Sequence, residues 1–99
     1  MSQESVRVVA HLRAKAGKEQ ELKALLLSLL KPTRMEKGCR EYRLYQSKQE
    51  VSDMTFVEEW DSDEALDAHL QTPHVQTVLA QVPALIYAPP DIRRYRLVG

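Results

Sequence analysis

Two hydrophobic periods alternate along this chain, and their order leaves few folds open. The segment VRVVAHLRA places apolar residues at every second position from Val6 to Leu12, which predicts a strand with one buried face. After Gly17, leucines recur at the spacing of an amphipathic helix. Pro32 should kink or end this helix, because a proline inside a helix removes a backbone donor, and Gly38 should stop it.

The second half of the chain repeats this alternation. CREYRLYQS and DMTFVEEW predict two strands joined as a hairpin around residues 50–53. Asp61 should cap the next helix, with Glu64 in the reciprocal position of a capping box. A break comes next, and Thr72 with Pro73 should begin a further helix. IRRYRLV predicts the last strand.

The resulting order is β-α-β-β-α-β with the second helix broken in two, which predicts a single α+β domain over residues 1–99. The fold should be the ferredoxin-like split β-α-β arrangement, a four-stranded antiparallel sheet with the helices on one face. The opposite face keeps Val9, Val57 and Leu97. Because an apolar sheet face needs cover, we expect a homodimer that packs two such faces together as a dimeric α+β barrel.

Composition argues against several classes of partner. Fourteen acidic residues balance fourteen basic ones, so no net charge favours nucleic acid or an anionic membrane. No apolar stretch approaches the ~20 residues of a membrane span, and the N-terminus lacks a signal-peptide pattern. One cysteine, Cys39, cannot form an internal disulfide and fits a reducing compartment. We therefore expect a cytoplasmic protein.

The sequence also lacks recognisable motifs for metals, nucleotides and nucleic acids. His69 and His74 are five residues apart. On a continuous helix that spacing turns them roughly 140° from each other, whereas zinc-binding pairs are usually four apart. None of the three glycines stands in a phosphate-binding motif. The strand order also occurs in RNA-recognition modules, but the first strand has no aromatic residue on which a base could stack. We expect neither a metal nor a nucleic acid.

The segment FVEEWDSDEALDAHLQTPH holds the only Phe and Trp of the chain and two of its three His. On a strand, Phe56, Glu58 and Trp60 share one face. They can be ordinary core beneath the helices, with Glu58 at the rim or paired with an arginine. A carboxylate between two aromatic rings is nevertheless costly unless it is bonded or solvated.

The helix break around Pro73 favours a functional interpretation of this segment. A gap in the helical cover of an apolar sheet face is where small-molecule pockets form. His69 closes the first half-helix and His74 lies in the first turn of the second. Imidazole suits proton transfer near neutral pH, and a helix N-terminus disfavours a charged ring at His74 and favours a nearby anion. Each histidine taken alone can also be a structural residue.

The segment EKGCREYRLYQ, followed by FVEEWDSDEALDAHLQTPH, resembles the antibiotic biosynthesis monooxygenase family, including its quinol monooxygenase-like members. The resemblance extends from Val6 to about Leu97 and agrees with the split β-α-β fold and the dimer. The motifs that carry it are Glu58-x-Trp60, the pair Ala65-Leu66, His69, Thr72-Pro73-His74, and the Glu36-x-Gly38 turn that leads to Tyr42.

The resemblance implies a monooxygenase that uses no metal, flavin or haem cofactor and acts on a small electron-rich aromatic substrate, such as a quinol. Dioxygen is a triplet and reacts slowly with closed-shell molecules, but a deprotonated electron-rich ring can pass it one electron directly. The protein then has to bind the ring in an apolar pocket, remove a proton and exclude water. Trp60 and Phe56 would form the aromatic wall that binds the substrate. His69 would transfer the proton, with His74 or Glu58 as orienting partners.

Other functions stay open. The sequence contains no Asn, which argues against the haem-degrading and polyketide-type members of this family, because these use a catalytic asparagine. HLQTPH also resembles a segment of an isomerase that processes a phosphorylated signal metabolite, in which acid–base residues move protons without oxygen. A non-catalytic dimeric protein that binds a small molecule is a third candidate. His11 is a weaker catalytic candidate, because its parity places it on the opposite sheet face.

Overall fold

A computed structural model describes residues 4–99, so residues 1–3 of the predicted domain lie outside the described range. Strands and helices occur along the chain in the predicted order. They are β1 (Val6–Arg13), α1 (Glu19–Leu27), α2 (Leu30–Arg34), β2 (Cys39–Gln46), β3 (Asp53–Trp60), α3 (Asp63–Leu70), α4 (Pro73–Gln81), a 3-10 turn (Val82–Ala84) and β4 (Asp91–Tyr95).

The four strands form one sheet in the order β2-β3-β1-β4, and each neighbouring pair is antiparallel. This topology confirms the predicted ferredoxin-like split β-α-β fold. The register places Glu58 of β3 opposite Val8 of β1 on one side and opposite Tyr42 of β2 on the other. Glu58 therefore sits in the middle of the sheet. Within residues 4–99, no helix is long and apolar enough to cross a membrane.

The two faces of the sheet differ as the period-2 pattern predicts. Alternate residues of β1 and β3 are buried beneath the helices, namely Val6, Val8, Ala10, Leu12, Met54, Phe56, Glu58 and Trp60. The opposite face carries Arg7, whose guanidinium pairs with Glu41 and with Glu59. Val9 and Val57 are half-buried on that face, and Leu97 is 87% exposed. The homodimer stays a prediction, since a single chain does not test it.

The helix breaks differ in detail from the prediction. The first long helix ends at Leu27, before Pro32, and Pro32 lies within the short helix α2. A proline is tolerated in a first turn because those N–H groups have no partner within the helix. The predicted start at Thr72 and Pro73 is confirmed, since the Thr72 hydroxyl accepts a hydrogen bond from the backbone N–H of Val75.

The predicted capping box at Asp61 and Glu64 is wrong. The N-cap of α3 is Ser62, whose hydroxyl oxygen accepts a hydrogen bond from the backbone N–H of Ala65 at 3.1 Å. Asp61 accepts a hydrogen bond from Arg40 Nε at 2.5 Å instead. Serine and aspartate are both good N-caps, so local sequence could not decide between neighbouring positions that compete for different partners.

The turn that precedes β2 packs closely against α3 at Gly38. Gly38 has φ +91°, and a Cβ placed on it would lie 2.8 Å from the Cβ of Ala65. Only glycine permits both this backbone conformation and this approach. The same turn carries Glu36, whose side chain reaches His69 of α3 and His74 of α4.

We expect Gly38→Ala to destabilise the protein by at least about 1 kcal/mol more than Gly17→Ala. Gly17 also has a positive φ, but a Cβ added there meets nothing within 4 Å, so it controls for backbone strain alone. Thermal unfolding would register the difference as a melting temperature about 4–8 °C lower for the Gly38 variant. Equal losses in the two variants would contradict the close packing of the turn on α3.

Candidate functional site

Glu58 and Trp60 form a buried pair on the helix-covered face of β3. The indole Nε1–H of Trp60 donates a hydrogen bond to Glu58 Oε1 at 2.8 Å. The carboxylate is 5% exposed and the indole is fully buried. Burial raises the pKa of Glu58 to about 7, against the hydrogen bond from Trp60, and the charge of Glu36 raises it further. Glu58 can therefore take up or release a proton near neutral pH.

The break between α3 and α4 brings two histidines onto one carboxylate. His69 Nδ1 lies 2.8 Å from Glu36 Oε2, and His74 Nε2 lies 2.7 Å from the same oxygen. The Thr72 hydroxyl holds the break in place by donating a hydrogen bond to the His69 carbonyl oxygen at 2.8 Å. The angle of roughly 140° between the two residues applies only to a continuous helix. Because the chain breaks between α3 and α4, both rings reach Glu36, and their centroids are 6.3 Å apart.

The contact with Glu36 fixes the protonation pattern of His69. An ionised carboxylate only accepts hydrogen bonds, so the Nδ1–H of His69 must be the donor. Burial lowers the pKa of His69, whereas the hydrogen bond to Glu36 and the charge of Glu36 raise it. The neutral ring then carries its lone pair on Nε2, for which the described residues offer no hydrogen-bond partner. This is the tautomer that can accept a proton from a ligand.

Aromatic rings hold His69 in place. Its ring packs against Trp60 with centroids 4.6 Å apart and planes 36° apart. Tyr42 meets it edge-on at 5.5 Å, and Tyr42 also packs against Phe56 at 4.9 Å. Burial raises the pKa of Tyr42 above its usual range, so this hydroxyl stays protonated. Two aromatic side chains of the sheet thus pack against the His69 ring, and Phe56 supports one of them.

A small cavity lies beside this group, between the sheet and the helices. Its volume is about 60 Å³. Tyr42, Glu58 and His69 are its polar lining residues, and the rest of the lining is apolar and includes Phe56. Trp60 does not line it but packs against His69, so the same imidazole contacts both the indole and the cavity. Phe56, predicted to contact a substrate, lines the cavity, whereas Trp60 contacts His69 instead.

The outer end of the cavity lies between α4 and β4. Leu79, Pro90 and Ile92 line this end, and Leu79 and Ile92 are 38% and 48% exposed. A cavity of roughly 150 Å³ is needed to admit a benzene-sized ligand, so the cavity at its present volume does not hold an aromatic ring. A ring can enter only if these outer residues move apart.

The Glu36–His69–His74 cluster also has the donor types of a metal site, and its ligand atoms lie within 4.8 Å of one another. Two of the separations are hydrogen-bond lengths of 2.7 and 2.8 Å. Ligand atoms around a tetrahedral zinc with bonds of about 2.0–2.1 Å stand roughly 3.3 Å apart. The cluster would have to open to hold such an ion, and its geometry fits a shared carboxylate better.

Sequence reasoning missed the role of Glu36 and of Tyr42. Both belong to the Glu36-x-Gly38 turn and the strand after it, a pattern that carried the family resemblance without assigning a role to either residue. His11 lies on the opposite sheet face as predicted, where Thr55 Oγ1 is 2.8 Å from its Nδ1. It has no contact with the cavity.

Known proteins resemble this chain along most of its length. The family model of antibiotic biosynthesis monooxygenases matches residues 5–81. A Mycobacterium tuberculosis protein named "Putative monooxygenase Rv0793" is 37% identical over 84 residues, which cover 85% of this chain and 82% of that protein. "Uncharacterized protein sll1783" of Synechocystis is 32% identical over 90 residues, and the matching region covers 91% of this chain but 61% of the Synechocystis protein.

The solved structures give the same result. The structure of Rv0793 from Mycobacterium tuberculosis superimposes with a TM-score of 0.92 at 32% identity and covers 97% of both chains. The split β-α-β fold is therefore shared with this relative over almost its whole length.

We expect Glu58→Gln to flatten the pH dependence of stability. A raised pKa means that the folded state holds this proton more tightly than the unfolded chain. The resulting stabilisation is complete below about pH 4.5 and is lost as pH rises through about 7. Glutamine can still accept the Trp60 hydrogen bond, so the variant should gain about 3 kcal/mol relative to the native protein as the pH rises from the lower to the upper limit.

Urea unfolding of both proteins from about pH 4 to about pH 8 measures this difference. His69 changes stability with the opposite sign, since its lowered pKa favours folding at higher pH, but both proteins contain it and its effect cancels. A difference that does not vary with pH would contradict the buried acid.

Proposed function

The chain belongs to the antibiotic biosynthesis monooxygenase family, and we propose that it oxidises a small electron-rich aromatic molecule, such as a quinol, with dioxygen and without a metal or flavin. The family supports a monooxygenase-like function, whereas the quinol and the absence of a cofactor are our proposal. The observation that carries it is a proton acceptor beside an apolar cavity. His69, oriented by Glu36, lines a cavity whose walls are nearly all apolar.

The chemistry needs little beyond a base and a dry pocket. Removal of a phenolic proton makes the ring electron-rich enough to transfer one electron to dioxygen, which gives a semiquinone and superoxide. Their recombination forms a carbon–oxygen bond, and the peroxide then loses water. One quinol and one dioxygen thus yield one hydroxyquinone and one water, so the substrate supplies all the electrons.

The described contacts suggest a role for each group. His69 takes the phenolic proton on Nε2, and the Glu36 carboxylate stabilises the imidazolium that forms, because the ion pair lies away from bulk water. His74 donates to the same carboxylate oxygen and holds it in place. Glu58, whose pKa lies near 7, supplies or accepts the second proton at the cavity wall. Phe56 faces the ring, and Trp60 positions His69 and Glu58.

The isomerase alternative is disfavoured by the position of Glu36. A phosphorylated substrate would have to place its charge near His74, at the start of α4. The Glu36 carboxylate already occupies that position, 2.7 Å from the His74 ring. Two anions at one place repel each other, and, among the described residues, the lining of the cavity carries no cationic lysine or arginine that would offset the charge of a phosphate.

We expect His69→Ala to lower kcat/KM for oxygen uptake with a reduced quinol by at least about 100-fold, which is the usual contribution of a general base. An oxygen electrode measures the uptake, and oxygen-18 gas should place one labelled atom in the product. Uptake should persist after treatment with a chelator. No uptake above the spontaneous rate with any quinol or anthrone would overturn the proposal, and loss upon chelation would overturn its cofactor-free part.

His11→Gln provides the matched control for this experiment. His11 lies on the opposite face of the sheet, and glutamine retains a hydrogen-bonding side chain toward Thr55. Its oxygen uptake should equal that of the native protein. If both histidine variants lose uptake to the same extent, the loss reports on folding or assembly and the assignment of His69 as the base is wrong.

The acid side of the pH profile should report the pKa of His69. Because burial lowers this pKa, kcat/KM with the native protein should rise with pH at a midpoint below the usual histidine value of about 6.5. In Glu36→Gln the hydrogen bond can remain but the charge is gone, so the midpoint should move to still lower pH. An unchanged midpoint in this variant would contradict the coupling between Glu36 and His69.

A further inference from the structure

The cavity beside His69 adjoins a second, larger apolar groove on the surface. The groove has a volume of about 440 Å³, and the segment after α4 forms most of its lining, including Ile86, Tyr87 and Ala88. Every residue that lines it is aliphatic, aromatic or proline. Leu79, Val82 and Pro90 line both the groove and the cavity. The two spaces are therefore separated only by side chains that they share.

The groove is built on backbone that is fixed to the sheet. The N–H of Lys15 donates a hydrogen bond to the Leu85 carbonyl at 2.8 Å, and the N–H of Tyr87 donates to the Arg13 carbonyl at 3.2 Å. Ala14 and Ile86 form a bridge between these contacts. Two consecutive prolines come after Ala88 and restrict the backbone further. These contacts fix the backbone of the groove, although the side chain of Tyr87 is 59% exposed to solvent.

We propose that this groove binds an apolar side chain carried by the aromatic substrate, so that the ring lies in the cavity and a hydrocarbon tail lies in the groove. This inference rests on the proposed function, because it assigns the substrate class of the same site. When Leu79, Pro90 and Ile92 move apart to admit the ring, the cavity opens toward the groove. A substituent on the ring then has one apolar path to take.

The chemistry of the lining selects the kind of substituent. Among residues 4–99, the groove presents no charged side chain and no side-chain amide or carboxylate, so a sugar, phosphate or carboxylate there would lose its hydration and could gain no side-chain partner beyond the Tyr87 hydroxyl. A hydrocarbon chain instead removes apolar surface of Tyr87 and Leu79 from water. The substrate class is therefore a lipophilic, alkyl-substituted quinol or related phenol.

Calorimetry with redox-inert probes tests this inference without any turnover. The probes are para-dimethoxybenzenes that carry a methyl, butyl or octyl chain, used below the concentration at which they aggregate. The Kd should fall about two- to four-fold for each added methylene until the groove is filled. In Ala88→Glu, which places a charge in the groove, the octyl compound should bind no better than the methyl compound.

Ala80→Glu is the matched control, because Ala80 is an exposed alanine of α4 that does not line the groove. This variant should keep the full gain with chain length. Tyr87→Ser serves as a second groove variant should Ala88→Glu fail to fold, and it should reduce the gain at least about tenfold for the octyl probe. An equal gain in the groove variants and in the control would overturn the inference.

Two further measurements separate this inference from its alternatives. Oxygen uptake with the methyl-substituted quinol tests the proposed function alone, since that compound does not reach the groove. If a second copy of the chain covers the groove, Ala88→Glu will change the oligomer measured by sedimentation, and chain length will have no effect on binding to the native protein. That result would overturn the inference and leave the proposed function standing.

Discussion

One carboxylate oxygen joins the three segments on which the site depends. Glu36 comes from the turn before β2, His69 from the end of α3 and His74 from the start of α4, and both rings lie within hydrogen-bond distance of Glu36 Oε2. A largely buried carboxylate without partners would cost several kcal/mol, so the two donors are what make this position tolerable. The Glu36 carboxylate also sets the tautomer of His69, and its two hydrogen bonds connect the break between α3 and α4 to the turn before β2.

Glu58, the neighbouring acid, has a different partner from Glu36, and the charge of Glu36 affects its pKa. Within the described part of the chain, the Trp60 indole is the one side-chain donor to Glu58, and this hydrogen bond is too little to offset burial, which raises the pKa of Glu58 to about 7. The negative charge of Glu36 adds to this increase. A histidine with a lowered pKa and a glutamate with a pKa near 7 therefore face the same cavity. Environments that separate titratable groups in this way are typical of acid–base sites.

Local periodicity was enough to predict the strands and their faces, but it could not predict contacts that tertiary packing decides. The alternation in β1 and β3 correctly placed His11 on the outer face and Phe56, Glu58 and Trp60 beneath the helices. No local pattern could show that Glu36 reaches both histidines, because that depends on how Gly38 lets its turn approach Ala65. The break between His69 and His74 was predicted from Thr72 and Pro73, but the direction in which the two rings point after the break was not, because it too depends on tertiary packing.

The size of the cavity then determines how the site has to work. At its inner end, Tyr42 and His69 pack against each other and against Trp60, and all three rings are almost completely buried, so movement there would lose many contacts. At its outer end, Leu79 and Ile92 are already partly in water, and displacing them loses little further apolar burial at about 25 cal/mol per Å². An aromatic ring that enters the cavity buries apolar surface of its own, which offsets the burial that Leu79 and Ile92 lose. Under the proposed function, the protein is therefore rigid where protons have to be positioned and deformable where the substrate would enter, so a cavity of about 60 Å³ can open into a binding site.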